Sequence, residues 1–208
     1  MSIDNYSELK TALENWLDRT DLNARIPEFI QLAEVRIQRL LRPLGIEGRA
    51  YTTMVSGQEY YTLPTDFLSC RNVQVNSNPV RKLVYRSPEQ LDHEYPYSES
   101  GTPKAYTIIG TELQIKPLPS STDNLEIAYF KKITPLSDAN TTNWTITNAP
   151  DLILYGSLIE AEAYLVNDPR VGLWKNAYDE ALSLINTEAD KGRYSGSQLQ
   201  IRTATGNP

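Results

Sequence analysis

The spacing of apolar residues changes twice along this chain, and that change limits the fold more than any single motif does. Up to about residue 42 apolar positions recur at helical spacing, and from Arg49 to Lys131 they recur every second residue. From Pro150 onward the helical spacing returns. A chain written this way is α+β, with helices supplied by both ends and strands by the middle. No linker rich in glycine, serine and proline isolates the middle. The expectation is therefore a four-helix bundle made by the N- and C-terminal helices, with an inserted antiparallel β-rich module and an extended C-terminal tail. The boundaries read as 1–48 for the N-terminal helical pair, 49–149 for the inserted module and its connector, 150–191 for the C-terminal helical hairpin, and 192–208 for a flexible tail.

At the N-terminus, residues 4–18 are predicted helical. Asn5 and Glu8 have capping-box spacing, and Leu9, Ala12, Leu13, Trp16 and Leu17 share a face. After a polar break from Asp18 to Asn23, a second helix is expected from Pro27 to near Arg42. It should bury Phe29, Ile30, Ala33, Ile37, Leu40 and Leu41 and turn Glu28, Glu34, Arg36 and Arg39 outward. Arg36, Arg39 and Arg42 suit the negative end of the helix dipole, and Pro43 and Gly45 end the run. With acids interleaved, this arginine row reads as a solvated helix end rather than a phosphate site.

The C-terminal hairpin is the stretch around which the rest is arranged. Asn148 is placed to cap and Pro150 to enter its first turn. Leu154, Leu158, Ala161 and Leu165 form one apolar face; Val171, Trp174, Tyr178, Ala181, Leu182 and Ile185 form the other. The core of the bundle is thus assigned to Leu154, Leu158, Trp174, Tyr178 and Leu182. Asn167-Asp168-Pro169 marks the turn, since the residue before proline disfavours helix. Gly156, Ala161 and Ala163 are small enough to admit a neighbouring backbone.

In the middle, strands are expected at 51–55, 59–63, 70–75, 80–85, 104–109, 112–117 and 125–131. Ser56-Gly57, Leu63-Pro64, Asn76 to Pro79 and Gly110-Thr111 serve as turns. Ser87 to Asp92 reads as one helical turn, and 133–149 as a long polar connector around Trp144.

The residues offer little chemistry. Lysine and arginine total 20 against 26 aspartates and glutamates, a net charge of −6, which argues against a nucleic-acid clamp but suits a channel through which DNA slides. Cys70 is the single cysteine, so an internal disulfide is excluded and a reducing compartment of synthesis is expected. Met1 to Lys10 lacks the apolar core of a signal peptide, and no run approaches the roughly 18 apolar residues of a spanning helix. Asn5, Asn140 and Asn143 head glycosylation-type triplets, read as chance matches without a secretory signal. His93 is the one histidine; Asp92, His93 and Glu94 are adjacent, and adjacent side chains rarely converge on one ion. Cys70 reads as a small buried strand residue, although a pair with His93 is the alternative for a small hydrolase. Glu160 and Glu162 lie about 100° apart on a helix and do not converge. No glycine-rich phosphate loop occurs, and no cofactor is implied. Aromatic residues in the β region, among them Tyr60, Tyr61, Tyr95 and Tyr97, leave open a carbohydrate- or receptor-binding surface.

A succession of motifs then carries a resemblance. Leu63-Pro64-Thr65-Asp66-Phe67 is followed by Gly101-Thr102-Pro103-Lys104-Ala105-Tyr106 and by Leu113-Gln114-Ile115-Lys116-Pro117-Leu118-Pro119. Tyr129, Pro135-Leu136-Ser137, Asn143-Trp144 and Pro150 to Gly156 complete the series. Across roughly residues 5–195 this resembles the head-to-tail adaptor, or connector, proteins of short-tailed bacteriophages. The resemblance implies a non-catalytic virion protein, assembled in the bacterial host cytoplasm. It implies a homo-oligomeric ring, typically a dodecamer, in the neck between capsid and tail. The implied partners are the portal protein and a tail nozzle or tail tube protein; DNA passes through the ring during ejection without sequence-specific binding, and no membrane is involved. It also implies that the basic tail reaches the portal, which points to Arg193, Tyr194, Leu199, Ile201 and Arg202 as portal-binding residues.

Overall fold

In a computed structural model, which describes residues 2–19, 21–41, 46–165 and 170–194, the two periodicities separate into two units. One unit combines residues 1–45 with 135–208, and the other holds 46–134. The connector is therefore divided: from Pro135 it belongs with the helices, whereas the sequence grouped all of 49–149 with the strands.

Helix α1 (Tyr6–Leu17) begins where Asn5 accepts the Glu8 amide at 3.0 Å. The return bond of the expected capping box is displaced by one residue, because the Glu8 carboxylate accepts from the Asp4 amide at 2.7 Å. Leu9, Ala12, Leu13 and Leu17 are buried as their spacing predicts, but Trp16 is partly exposed, edge-on to Tyr155 with ring centroids 5.8 Å apart. Helix α2 (Ile26–Leu40) buries Ile26, Phe29, Ile30, Ala33 and Ile37. Leu40, expected inside, is exposed. The chain leaves the helix at Leu41, which turns extended and is buried in its place.

Three more helices complete this unit. The short α4 (Trp144–Asn148) follows α3 (Pro88–Glu94) of the strand unit in chain order and is capped by Asn143, whose carbonyl Oδ1 accepts the Ile146 amide at 3.1 Å. Asn148, expected to cap the next helix, instead ends α4 and donates its Nδ2 to the Trp144 carbonyl at 2.8 Å. Helix α5 (Pro150–Leu165) begins directly afterwards and α6 (Val171–Tyr194) follows. Helices α1, α2, α4 and α6 all pack against α5. That explains why α5 is apolar on more than the predicted stripe: Leu152, Ile153, Gly156 and Ser157 are buried together with Leu154, Leu158 and Ala161. Leu165 is half-buried and Ala163 exposed.

Gly156 marks the tightest approach. A Cβ there would stand 3.2 Å from a Tyr178 ring carbon and 3.3 Å from the Ala33 Cβ, so its missing side chain lets α2 and α6 both close on α5. Among the core residues assigned from the sequence, Leu154, Leu158, Trp174 and Tyr178 are buried and Leu182 is half-buried.

The strand unit is built from two four-stranded sheets. The first orders β1 (Glu47–Thr53), β10 (Asn124–Lys131), β3 (Phe67–Asn76) and β4 (Arg81–Lys82). The second orders β2 (Tyr60–Thr62), β8 (Glu112–Lys116), β7 (Ala105–Ile109) and β5 (Val84–Tyr85). A small pair, β6 (Ser100–Gly101) and β9 (Leu118–Pro119), was not expected from the sequence. Pairing is antiparallel except for β5 on β7 and β6 on β9, which run parallel and correct the all-antiparallel expectation.

Alternating residues of both sheets meet in one core, with Met54, Val73, Val75, Ile115 and Leu125 at its centre. The predicted strand 80–85 proves to be two: β4 pairs in the first sheet, β5 in the second, and the buried Leu83 is the single residue between them. The β7–β8 hairpin turns through Gly110 at φ 62°, a conformation that favours glycine. Helix α3 (Pro88–Glu94) carries a full capping box between Ser87 and Gln90.

Two substitutions test the packing of α6. Trp174, 1% exposed, should cost about 3–5 kcal/mol on replacement by alanine in urea unfolding. The Tyr178 hydroxyl is buried without a hydrogen-bond partner among the described residues. Tyr178→Phe removes an unsatisfied donor while keeping the ring, so stability should hold or rise by up to about 1 kcal/mol. A loss as large as that of Trp174→Ala would show that the hydroxyl is engaged.

Candidate assembly surfaces

The strongest polar construction in the helical unit centres on Glu34. Its Oε1 accepts from the Leu136 amide at 3.0 Å and from Asn143 Nδ2 at 2.8 Å, and Oε2 lies 3.2 Å from the same amide. The sequence places Glu34 in solvent; it is covered because residues 135–143 lie over α2. The same segment is tied to α1, where Tyr6 donates its amide to the Thr141 carbonyl at 2.8 Å and Lys10 pairs with Asp138 at 2.9 Å. Burial raises the Glu34 pKa above the ordinary glutamate range, opposed by the two donated hydrogen bonds.

Two more residues of the outward row on α2, Glu28 and Arg36, are also committed locally. Arg25 holds Glu28 at 2.9 Å, and Arg36 reaches Glu160 on α5 at 2.6 Å. Glu160 is thus an ion-pair partner, a role the sequence reading did not assign to it. What α2 leaves exposed is a mixed stripe of Leu32, Val35 and Arg39. Helix α6 exposes Leu173 and Leu184 in the same way. Arg193 and Tyr194 are its last two residues, while Leu199, Ile201 and Arg202 lie outside the described residues.

In the strand unit, an open cleft lined by Glu47, Arg49, Arg71, Asn72 and Lys82 gathers cations, but Arg71 is bonded to Glu47 and Arg49 stands 3.7 Å from Glu126. Glu126 also accepts from Gln74 and Asn76 at 3.0 and 2.9 Å. Such pairing leaves little positive potential for a phosphate. The residues weighed for sugar binding do not share one state. Tyr60 and Tyr97 are exposed, Tyr95 is half-buried, and Tyr61 is buried with its hydroxyl 3.1 Å from the Val55 amide.

Neither reactive candidate sits in a catalytic setting. His93 is exposed on α3 beside the Arg86–Glu94 ion pair. Cys70 is half-buried, its Sγ 3.4 Å from the Tyr106 hydroxyl, and burial pushes the thiol pKa up, which lowers the thiolate fraction. Tyr129, buried and bonded to Asp66 at 2.8 Å, is pushed up to about 12. Among the described residues no cluster of His, Cys, Asp or Glu is arranged to hold a metal, and no helix is long and apolar enough to cross a membrane.

Sequence reading missed the Glu34–Leu136–Asn143 junction because its partners lie more than 100 residues apart. The one local signal was Asn143 three residues before Ile146, an N-cap spacing.

Glu34 yields a pH test with a definite sign. A carboxyl whose pKa is higher in the folded than in the unfolded protein stabilises below its unfolded pKa and loses that contribution as pH rises through the folded one. Relative to Glu34→Gln, the wild type should therefore gain stability as pH falls from neutrality through the glutamate range, measured by urea unfolding. A gap that narrows on acidification would reverse the assignment.

Among known families, the family model of the SU10 adaptor protein aligns with residues 4–202. Among curated proteins, none matches the chain significantly.

Proposed function

The chain belongs to the SU10 adaptor protein family and is thereby a bacteriophage adaptor protein with a structural role in the virion; from this premise we propose that it forms the ring joining the capsid portal to the tail. The observation that carries the reading is the extent of the match, which runs through both units and into the tail. In the proposed arrangement about twelve copies close around an axis, as heterologous contacts allow when the rotation between neighbours closes. The helical unit supplies the contacts between subunits, the strand unit meets the tail nozzle or tube, and DNA leaves through the lumen.

Residues 192–208 are proposed to grip the portal. This segment contains Arg193 and Arg202 with no acid, together with Tyr194, Leu199 and Ile201 as apolar anchors. The net charge of −6 supports passage of DNA, since few cations remain to hold phosphates.

The test uses purified portal from the same phage. Electron microscopy of the mixture should show an added disc on the portal. Because α6 runs to Tyr194, deleting 195–208 spares the described helices. The truncated chain should melt like the full chain yet lose most of its pull-down on portal. Full retention by the truncated chain would remove the tail from the proposal, and no disc with the full chain would remove the ring.

A further inference from the structure

The exposed faces of α2 and α6 carry the same pattern in the same spacing. On α2, Glu28, Leu32, Val35 and Arg39 fall at steps of four, three and four residues; on α6, Glu180, Leu184, Thr187 and Lys191 repeat those steps. At 3.6 residues per turn each set stays within one narrow stripe, about 16 Å from acid to base. All eight residues are exposed, with Leu32 at 53%, Val35 at 42% and Leu184 at 59%. The core-facing residues of both helices lie elsewhere on their circumference, Phe29, Ala33 and Ile37 on α2 and Trp174, Tyr178 and Ala181 on α6.

We propose that these stripes are the two halves of the contact between neighbouring copies, with α2 of one copy lying antiparallel to α6 of the next. In that register Glu28 meets Lys191, Leu32 meets Thr187, Val35 meets Leu184, and Arg39 meets Glu180. The Arg39–Glu180 end brings together two charges without a partner in the chain among the described residues, while at the other end Lys191 joins a Glu28 that already holds Arg25 at 2.9 Å; between them the contact is apolar apart from Thr187. A parallel register sets Glu28 against Glu180 and Arg39 against Lys191, so like charges exclude it. Thr187 already donates its hydroxyl to the Ser183 carbonyl at 2.8 Å, so covering it leaves no donor unpaired. Arg39 and Glu180 make no ion pair within the chain among the described residues.

The charges alone also permit either stripe to meet its own copy, which stops at a dimer. The cross pairing rests on the ring reading above, because a ring of one kind of subunit needs two different faces. Twelve residues of helix on each side make a small contact, so each seam is weak alone and gains from closure of the ring.

Two full-length single-cysteine proteins test this in a Cys70→Ser background, one carrying Val35→Cys and the other Leu184→Cys. Mixed and oxidised, they should form a disulfide heterodimer, and each alone should remain monomeric on a non-reducing gel. Arg39→Glu added to the first should abolish the bond, and Glu180→Arg added to the second should restore it. A bond within either single variant at the yield of the mixture, or a yield indifferent to the charge reversals, overturns the proposal. Mass photometry of lightly crosslinked wild type separates the two readings. Rings without the 35–184 bond refute this interface alone, and no species beyond the monomer, with or without portal, refutes the ring as well.

Discussion

Between Leu152 and Leu158 only Tyr155 escapes full burial. A helix enclosed on that much of its circumference needs neighbours on several sides, and α5 has them in α1, α2, α4 and α6. The helical unit depends on this one apolar segment being surrounded, and Gly156 sets how closely it can be. Ala33 and Tyr178 converge over the bare Cα, while one turn later Arg36 meets Glu160 and ties α2 to α5 by charge. The N-terminal and C-terminal parts of the chain thereby share one core although the whole strand unit lies between them in sequence.

Periodicity made most of the elements legible, because burial on one face imposes 3.6 or 2 on the apolar positions. It worked for Leu9, Leu13, Ile30, Ile37 and Trp174, each on an element with a single buried side. It was too narrow for α5, where burial on several sides removes the period. It failed at Leu40, where the helix ends and Leu41 takes the inward place. Strand 80–85 shows another limit, since a run without a turn signal says nothing about a change of sheet at Leu83. The candidate surfaces were less legible. Glu34 reads as a solvated residue until a segment more than 100 positions away covers it, and no local spacing encodes that partner.

Ion pairing follows a consistent logic across both units. Arg25, Arg36, Arg49, Arg71 and Arg86 each have a carboxylate of the same unit beside them. Cations held this way displace few counterions from a passing polyanion, so the surface discourages retention of nucleic acid by local neutralisation as much as by net charge. Exposed pairs of this kind add little to stability. Their larger effect is on what the surface refuses to hold.

The segment 81–85 takes part in two ladders at once, β4 on β3 and β5 on β7, with one residue between them. Its mechanical meaning is distinct from its share of the fold energy. Tension entering either sheet along this strand is passed to the other through Leu83, whose amide is itself anchored to the Val73 carbonyl at 2.9 Å. The two layers are stitched rather than merely pressed together, so a load that would slide one face over the other must first break backbone ladders.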